Sequence, residues 1–199
     1  MSEDTVFALS SPVGGAIAIV RITGSGAKDA LGRVFRCKNA PEHRVMNYGH
    51  VIDSESGETI DSAMACFLEA PATYTGEDMA EIYIHGSRVI AKRTLSVLSR
   101  FLRPAEGGEF TKRAFMNGKL DLSQAEAVMD VISSVTEQGA RMAEEQLAGS
   151  IGSGIKDIED RLIDILSGVE AALDYPDELE EDTVSALGSE LAPIIDKLD

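Results

Sequence analysis

The first 120 residues alternate short apolar runs with turn-forming segments, a pattern typical of strands joined by tight connections. The run GAIAIVRITG places β-branched residues between glycines and predicts a buried strand. The segment AEIYIHG alternates, so Ile82 and Ile84 are predicted on one face of a strand and Glu81, Tyr83 and His85 on the other. Between them, NYGHVIDSESGETIDSAMACFLEA predicts a hairpin around the polar loop SESGE.

Two helices are predicted beside these strands. The segment GSGAKDALGRVF indicates a turn followed by a helix whose apolar side consists of Ala30, Leu31, Val34 and Phe35. The segment SRVIAKRTLSVLSRFL indicates a second helix, with apolar positions at Val89, Ile90, Leu95, Val97, Leu98 and Leu102. Strands mixed with helices favour an α+β or α/β domain.

After residue 120 the apolar spacing becomes helical. Ser123 and Glu126 form a capping-box pattern that predicts a helix start. One apolar stripe follows at Leu122, Ala125, Val128, Met129, Ile132 and Val135, and a second at Ile155, Ile158, Leu162, Ile165, Val169 and Ala172. The segment GSIGSG between them is a poor helix interior, so we predict two helices, or one helix with a marked weakness there.

The end of the chain suggests an incomplete bundle. Pro176 is predicted to stop the second helix, and VSALGSELAPIIDKLD begins another helical pattern. We expect an all-α, partial helical bundle whose partner helices come from elsewhere in a longer chain or from another subunit.

Charge divides the chain at the same place. Residues 1–120 hold 14 acidic and 14 basic side chains, whereas residues 121–199 hold 20 acidic and 4 basic ones. This break predicts two domains, 1–120 and 121–199. It also argues against binding of a phosphate backbone by the second domain, because nucleic-acid binding normally draws on a basic patch. A solvated acidic face that keeps a helical region soluble explains the same charge.

The remaining composition narrows the class of protein. Hydrophobic residues make up 44% of the chain and charged residues 26%, which is typical of a globular protein. No run approaches about 18 consecutive apolar residues, and the acidic start MSEDTVFALSSPVGG lacks the basic region of a secretory signal. We therefore expect a cytoplasmic protein. Cys37 and Cys66 do not form a metal-type pair, and a disulfide between them stays an open alternative.

Common nucleotide and metal motifs do not match this sequence. NGKL has a leucine after its lysine and no upstream glycine at the distance that a P-loop requires. GSGAKDALG lacks the glycine spacing of a dinucleotide loop, and His43, His50 and His85 lack the spacing of a zinc site. Asp61, or the pair Glu77 and Asp78, could act as an acid or base, although solvated carboxylates are commoner. We predict neither a catalytic residue nor a metal site here.

Three charged residues stand out by their context. Arg21 ends the apolar strand AIAIVR, Glu81 opens EIYIHG, and Lys119 lies in NGK directly before a helix. They are either ordinary rim charges and ion pairs, or they line a pocket. In such a pocket a carboxylate would accept hydrogen bonds from an aminopyrimidine-like ring edge, and the two cations would hold carbonyl or carboxylate groups.

Three long blocks that contain these residues resemble one family. The blocks are SSPVGGAIAIVRITG, TYTGEDMAEIYIHG and GEFTKRAFMNGKLDLSQAEAVMDVI, in this order. They are similar to the N-terminal signature blocks of the tRNA modification GTPases called MnmE or TrmE. EAALDYPDE resembles the start of that family's helical domain, so the resemblance spans essentially the whole chain.

The resemblance implies a fold and a cofactor for the first domain. The family's N-terminal domain is similar to the tetrahydrofolate-binding domains of glycine-cleavage aminomethyltransferases, and it forms homodimers. It binds a one-carbon tetrahydrofolate, either 5-formyltetrahydrofolate or the 5,10-methylene form. Arg21, Glu81 and Lys119 fall on its folate-contacting positions, with Glu81 holding the pterin edge and the two cations as polar contacts.

The resemblance further implies that the chain is the N-terminal part of a longer enzyme. The family inserts a Ras-like domain, which uses GTP, Mg²⁺ and K⁺, into the helical domain after about this chain's end. In a heterotetramer with an FAD-dependent partner, MnmG, it modifies C5 of the wobble uridine in certain tRNAs. Without a P-loop this chain is expected to be non-catalytic alone. A stand-alone folate-dependent one-carbon transferase and a purely structural dimerisation module remain as alternatives.

Overall fold

The computed structural model describes residues 4–174, together with residues 189, 191 and 193–195. Contacts between Cα atoms divide the chain into two compact units, Met1–Leu120 and Asp121–Asp199. The first unit contains strands and helices, and the second is helical over its described residues. This arrangement confirms the predicted α+β class with a helical second part.

The elements follow one another along the chain as β1 Val6–Leu9, β2 Ile17–Thr23, α1 Ala27–Val34, β3 Phe35–Cys37, β4 Met46–Ile52, β5 Thr59–Leu68, β6 Met79–His85, α2 Arg88–Leu98, β7 Arg103–Pro104, α3 Glu109–Met116, α4 Leu122–Ser133, α5 Glu137–Leu147 and α6 Ser150–Asp174. The seven strands form one sheet in the order β3-β4-β5-β6-β2-β1-β7. Neighbouring strands are antiparallel except β1 and β7, which are parallel. The predicted buried strand, hairpin and alternating strand correspond to β2, to β4 with β5, and to β6.

One face of the sheet packs against α1 and α2. The core contains alternate positions of the two central strands, namely Ala18, Val20, Ile22, Ala80, Ile82 and Ile84. Because successive side chains of a strand point to opposite faces, Arg21, Glu81 and Tyr83 lie on the other face. Charged side chains can occupy these central strands because that face is not the one filled by the helices.

The first two helices differ from the predictions in detail. Phe35 does not continue α1, because its backbone is extended and it begins β3. In α2, Val97 and Leu98 are buried as predicted, but Val89 is exposed. Ala91 and Thr94 complete the buried side instead, since they share the spacing by threes and fours that places them above Val97 and Leu98.

Helix α3 was not predicted from its sequence. It begins after Gly108, whose φ of 76° lies in the left-handed region, and it ends at Met116, with Asn117 as its C-cap. Its buried residues are Arg113 and Ala114, so it has no apolar stripe of the kind that sequence periodicity detects.

The second unit has three helices over residues 122–174, whereas the sequence predicted two, or one helix with a marked weakness. Asp121, not Ser123, caps α4: its carboxylate accepts from the Gln124 N–H, and the Gln124 side chain accepts from the Asp121 N–H. Helix α5 was missed. The chain turns at Gly149, where φ is 86°, and α6 then begins at Ser150 inside the segment predicted to be a weak point.

The predicted apolar stripes face solvent over much of their length. Leu122, Met129 and Ile132 are exposed in α4, and Val135 lies beyond its end. In α6, Ile165 is buried whereas Ile155 and Leu162 are exposed. Pro176 and most of the terminal helical pattern lie outside the described residues.

Candidate functional site

Arg21 and Glu81 form an ion pair on the sheet face opposite α1 and α2. The two residues are directly opposed in the antiparallel register of β2 and β6, and the Arg21 Nε donates to the Glu81 Oε1 at 2.7 Å. The arginine side chain is 38% exposed and the glutamate side chain 13%. The carboxylate is therefore mostly enclosed, while the guanidinium still reaches solvent.

Tyr83 holds the second oxygen of this carboxylate. It lies two residues along the same strand, and its hydroxyl donates to the Glu81 Oε2. Burial and the hydrogen bond with Glu81 raise the pKa of Tyr83 to about 12, so the phenol stays protonated near neutral pH. An ionised carboxylate has about four acceptor positions, of which Arg21 and Tyr83 occupy two, leaving about two for a ligand.

Cys66 lies beside Glu81 on the next strand, as its register partner in β5. Burial, and then the negative charge of Glu81, raise the pKa of the Cys66 thiol. A thiol in this state is a poor nucleophile. Cys66 and Cys37 are both free, without a disulfide between them.

Lys119 lies in the turn that follows α3, against the loop that joins β5 to β6. Its Nζ donates to the Pro71 carbonyl at 3.2 Å, and the Asn117 amide donates to the Thr75 carbonyl at 2.7 Å. A Cβ added at Gly76 would lie 3.1 Å from the Asn117 Cβ and 3.2 Å from the Lys119 Cγ. A glycine is needed there because φ is 78° and the turn packs closely on the loop.

A hydrogen-bonded chain that sequence reasoning did not find joins the three signature blocks. The Thr23 hydroxyl lies 2.7 Å from the Thr75 hydroxyl and donates to the Glu77 carboxylate at 3.1 Å. Arg113, only 2% exposed, donates to Glu77 at 3.0 Å and to Glu109 at 2.8 Å. One signal was available in the sequence: a Glu and an Arg four residues apart, Glu109 and Arg113, favour an i, i+4 ion pair on a helix.

The structure thus brings two of the three predicted residues into direct contact. Arg21 meets Glu81, whereas the described contacts of Lys119 are with Pro71 and with its own helix end. Lys119 nevertheless packs on the loop that leads directly into β6, the strand of Glu81.

A separate cavity of about 270 Å³ lies at the start of α3, away from the three predicted residues. Its wall includes Asp4, Arg103, Glu109 and Lys112. Arg103 pairs with Asp4 and with Glu109, each at 2.8 Å, so most of the charge is compensated within the wall. The hydrogen bond from Arg103 is the main cause that lowers the pKa of Glu109 to about 2.

Within the described residues, no group of three or more His, Cys, Asp or Glu side chains is arranged to hold a metal ion. No helix in the same part of the chain has the length and apolarity needed to cross a membrane.

Comparison with known families gives two adjoining matches. Residues 5–119 match the family described as the GTP-binding protein TrmE N-terminus, and residues 122–199 match the MnmE helical domain. The two matches meet where the compact units divide.

Individual proteins give the same result. The chain is 43% identical to a tRNA modification GTPase MnmE of Finegoldia magna, with 98% of this chain and 44% of the relative covered. It is 42% identical to that of Lactobacillus delbrueckii subsp. bulgaricus, covering 92% and 40%, and 41% identical to that of Acetivibrio thermocellus, covering 98% and 44%. The chain therefore spans less than half the length of these relatives.

Proposed function

The chain belongs to the MnmE family of tRNA modification GTPases, and from that membership we propose that its first part is a folate-binding domain. Residues 1–120 bind a one-carbon tetrahydrofolate, in the 5-formyl or 5,10-methylene form, through Arg21, Glu81 and Lys119. Residues 121–199 form the first part of the helical domain.

The Arg21–Glu81 pair is the observation that carries the folate proposal. The pterin of a folate presents an amino group and a ring N–H side by side, and a carboxylate with free acceptor positions can bind both. Glu81 is already oriented by two donors, which lowers the entropy lost when such a ring binds. Arg21 is exposed enough to donate to a carbonyl oxygen of the same ligand.

Lys119 supplies a second cation to this proposed site. An ammonium group has three donors, and one of them is used by the Pro71 carbonyl. The side chain is exposed, so it can exchange this contact for a ligand oxygen without leaving a buried group unpaired.

Isothermal titration of the 199-residue chain with 5-formyltetrahydrofolate tests the proposal. We expect binding by the unmodified chain and a loss of at least about tenfold in affinity for Glu81→Gln and for Lys119→Ala, because each removes a charge-assisted contact. Arg93→Ala is the matched control, since it breaks an exposed ion pair with Glu58 elsewhere in the unit. No heat from the unmodified chain, or Lys119→Ala behaving like it, would reject the site.

We propose that the same domain forms a homodimer through its open sheet face. That face carries exposed apolar side chains on neighbouring strands β4 and β5, at Met46, Tyr48 and Met64. Contiguous exposed apolar surface of this kind commonly marks an interaction site.

The activity of the whole enzyme is a further part of the proposal. The relatives are named tRNA modification GTPases, and we propose that GTP, Mg²⁺ and K⁺ act through a domain outside these 199 residues, whose sequence has no P-loop. The parent would work in the cytoplasm with an FAD-dependent MnmG-like partner, as a heterotetramer, on C5 of the wobble uridine. Without a P-loop, this chain alone would not hydrolyse GTP. It would not bind tRNA strongly either, because its second unit is acidic.

A purely structural dimerisation module is the second candidate. One observation favours it: both oxygens of Glu81 already have partners within the chain, so the pair can be stable without a ligand. Size exclusion with and without folate, beside the titration, separates the two functions. A dimer that binds no folate would favour the structural module.

A further inference from the structure

The sheet face that carries Glu81 is closed at one end. Thr23 and Met79, register partners at that end, are fully buried. The loop before β6 lies over them, since the Thr75 hydroxyl is 2.7 Å from the Thr23 hydroxyl. A ligand whose ring meets Glu81 finds this end already filled by protein.

The opposite end of the same face is open. Ile17 and His85 are register partners there. Ile17 is 61% exposed, and the side chain of His85 is 66% exposed. The side chains of this face are thus buried at the closed end, half-buried in the middle of both strands and exposed at Ile17 and His85. The rest of a bound ligand has room in this direction.

His85 is held in one orientation by a buried carboxylate. Its Nδ1 lies 2.8 Å from the Asp61 Oδ1, and its backbone N–H donates to the Asp61 Oδ2 at 2.8 Å. The Asp61 side chain is only 6% exposed, so the contact fixes the ring to the sheet. With Nδ1 engaged, Nε2 is the ring nitrogen that is presented to a ligand.

The spacing along this face matches the parts of a folate. Glu81 and His85 are four residues apart in β6, which is about 13 Å at the usual rise per residue of a strand. Ile19 and Tyr83 lie between them on the same face. In an extended folate, the pterin, the p-aminobenzoyl ring and the glutamyl carboxylates follow one another over a comparable length.

We propose that His85, oriented by Asp61, binds a glutamyl carboxylate of the folate, with the p-aminobenzoyl ring lying over Ile19 and Tyr83. This inference rests on the proposed binding of the pterin at Glu81. The ring donates from Nε2 to the carboxylate while Nδ1 keeps its contact with Asp61.

Titration with two ligands against a set of His85 variants tests this assignment. The ligands are 5-formyltetrahydrofolate and 5-formyltetrahydropterin, which lacks the p-aminobenzoylglutamate. In His85→Asn the side-chain amide replaces Nδ1 and retains a donor for Asp61 but removes Nε2, whereas His85→Gln keeps a donor near the position of Nε2. His50→Ala is the matched control, because His50 is an exposed histidine of β4 that contacts Ser62 rather than a buried carboxylate.

We expect His85→Asn to weaken 5-formyltetrahydrofolate about tenfold, the size of one charge-assisted hydrogen bond, and to leave the pterin fragment unchanged. His85→Gln should recover part of the loss, and His50→Ala should bind both ligands normally. Equal losses for both ligands, or none, would overturn the role of His85 while folate binding stands. If the unmodified chain binds neither ligand, the folate proposal itself fails. A change in oligomeric state without the ligand-selective loss would also overturn the assignment.

Discussion

Glu81 and Glu109 show how this fold accommodates carboxylates among buried elements. Each has a side chain that is largely enclosed, and each is compensated by donors on separate elements. Glu81 faces Arg21 and Tyr83, whereas Glu109 faces Arg103 and Arg113. A buried charge persists when it is both paired and hydrogen-bonded. The two carboxylates differ in their surroundings: Glu81 lies on a sheet face that is open toward His85, whereas Glu109 lies in a cavity wall whose charges are paired with one another.

Protonation of Glu109 should destabilise the fold as the pH falls. Hydrogen bonding by Arg103, and then by the Glu106 N–H and by Arg113, lowers the pKa of Glu109 from 4.5 to about 2. Because the folded-state pKa is depressed, the stabilisation is complete well above the unfolded-state value and is lost as the pH falls toward about 2. Between about pH 7 and about pH 3.5, the difference in unfolding free energy between the unmodified chain and Glu109→Gln should shrink by roughly 1 kcal/mol.

Urea unfolding at both pH values measures this change. Glu145→Gln serves as control, since Glu145 pairs with Arg141 on an exposed helix surface and exposed pairs contribute little. Parallel pH dependence of the unmodified chain and Glu109→Gln would show that the Arg103 contact does not hold the carboxylate as described.

At the level of elements, the spacing of apolar residues correctly predicted the strands and helices that are stabilised by burying an apolar face. Strands β2 and β6 and helix α2 have such faces, and the sequence located all three. Helix α3 was not predicted, because its main buried side chain is the charged Arg113 rather than an apolar residue. Arg113 is held by Glu77, which is 36 residues away in the sequence. The helix cap was misplaced because two overlapping patterns, Ser123 with Glu126 and Asp121 with Gln124, both fit a capping box, and only the extended backbone of Asp121 decides between them.

This choice of cap leads to a stability prediction. Asp121→Ala should destabilise the second unit by about 1 kcal/mol, because it leaves helix N–H groups without their acceptor. Ser123→Ala should cost clearly less, since the Ser123 hydroxyl only donates to the Asp121 carboxylate at 2.8 Å. Thermal unfolding followed by the helical circular dichroism signal compares the two variants. A larger effect at Ser123 would restore the cap that the sequence first suggested.

At the scale of the whole molecule, the two units differ in the charge and in the exposed apolar side chains of their surfaces. The first unit is electrically balanced and exposes apolar side chains on its open sheet face, whereas the second unit carries the entire net charge of −16. The charge pattern of the sequence predicts a division at residue 120, and the three signature blocks predict a common site. The sequence could not predict the contacts from Thr23 through Glu77 to Arg113, because these partners lie 54 and 36 residues apart. The alternation of residues along a strand predicts which face a side chain lies on, but it does not predict which distant residue the side chain contacts.

Self-association through the open sheet face is the prediction that belongs to the whole molecule. Tyr48 is 67% exposed on β4, on the face that also carries Glu81, and a tyrosine buried in an interface often contributes about 2 kcal/mol or more. Tyr48→Lys should therefore raise the dimer Kd at least about tenfold in sedimentation velocity. Val89→Lys is the matched control, because Val89 is equally exposed but belongs to α2, which packs on the other face. Helix α6 offers a competing surface around Leu166, so a dimer that is dissociated by Leu166→Lys and not by Tyr48→Lys would assign association to the helical unit instead.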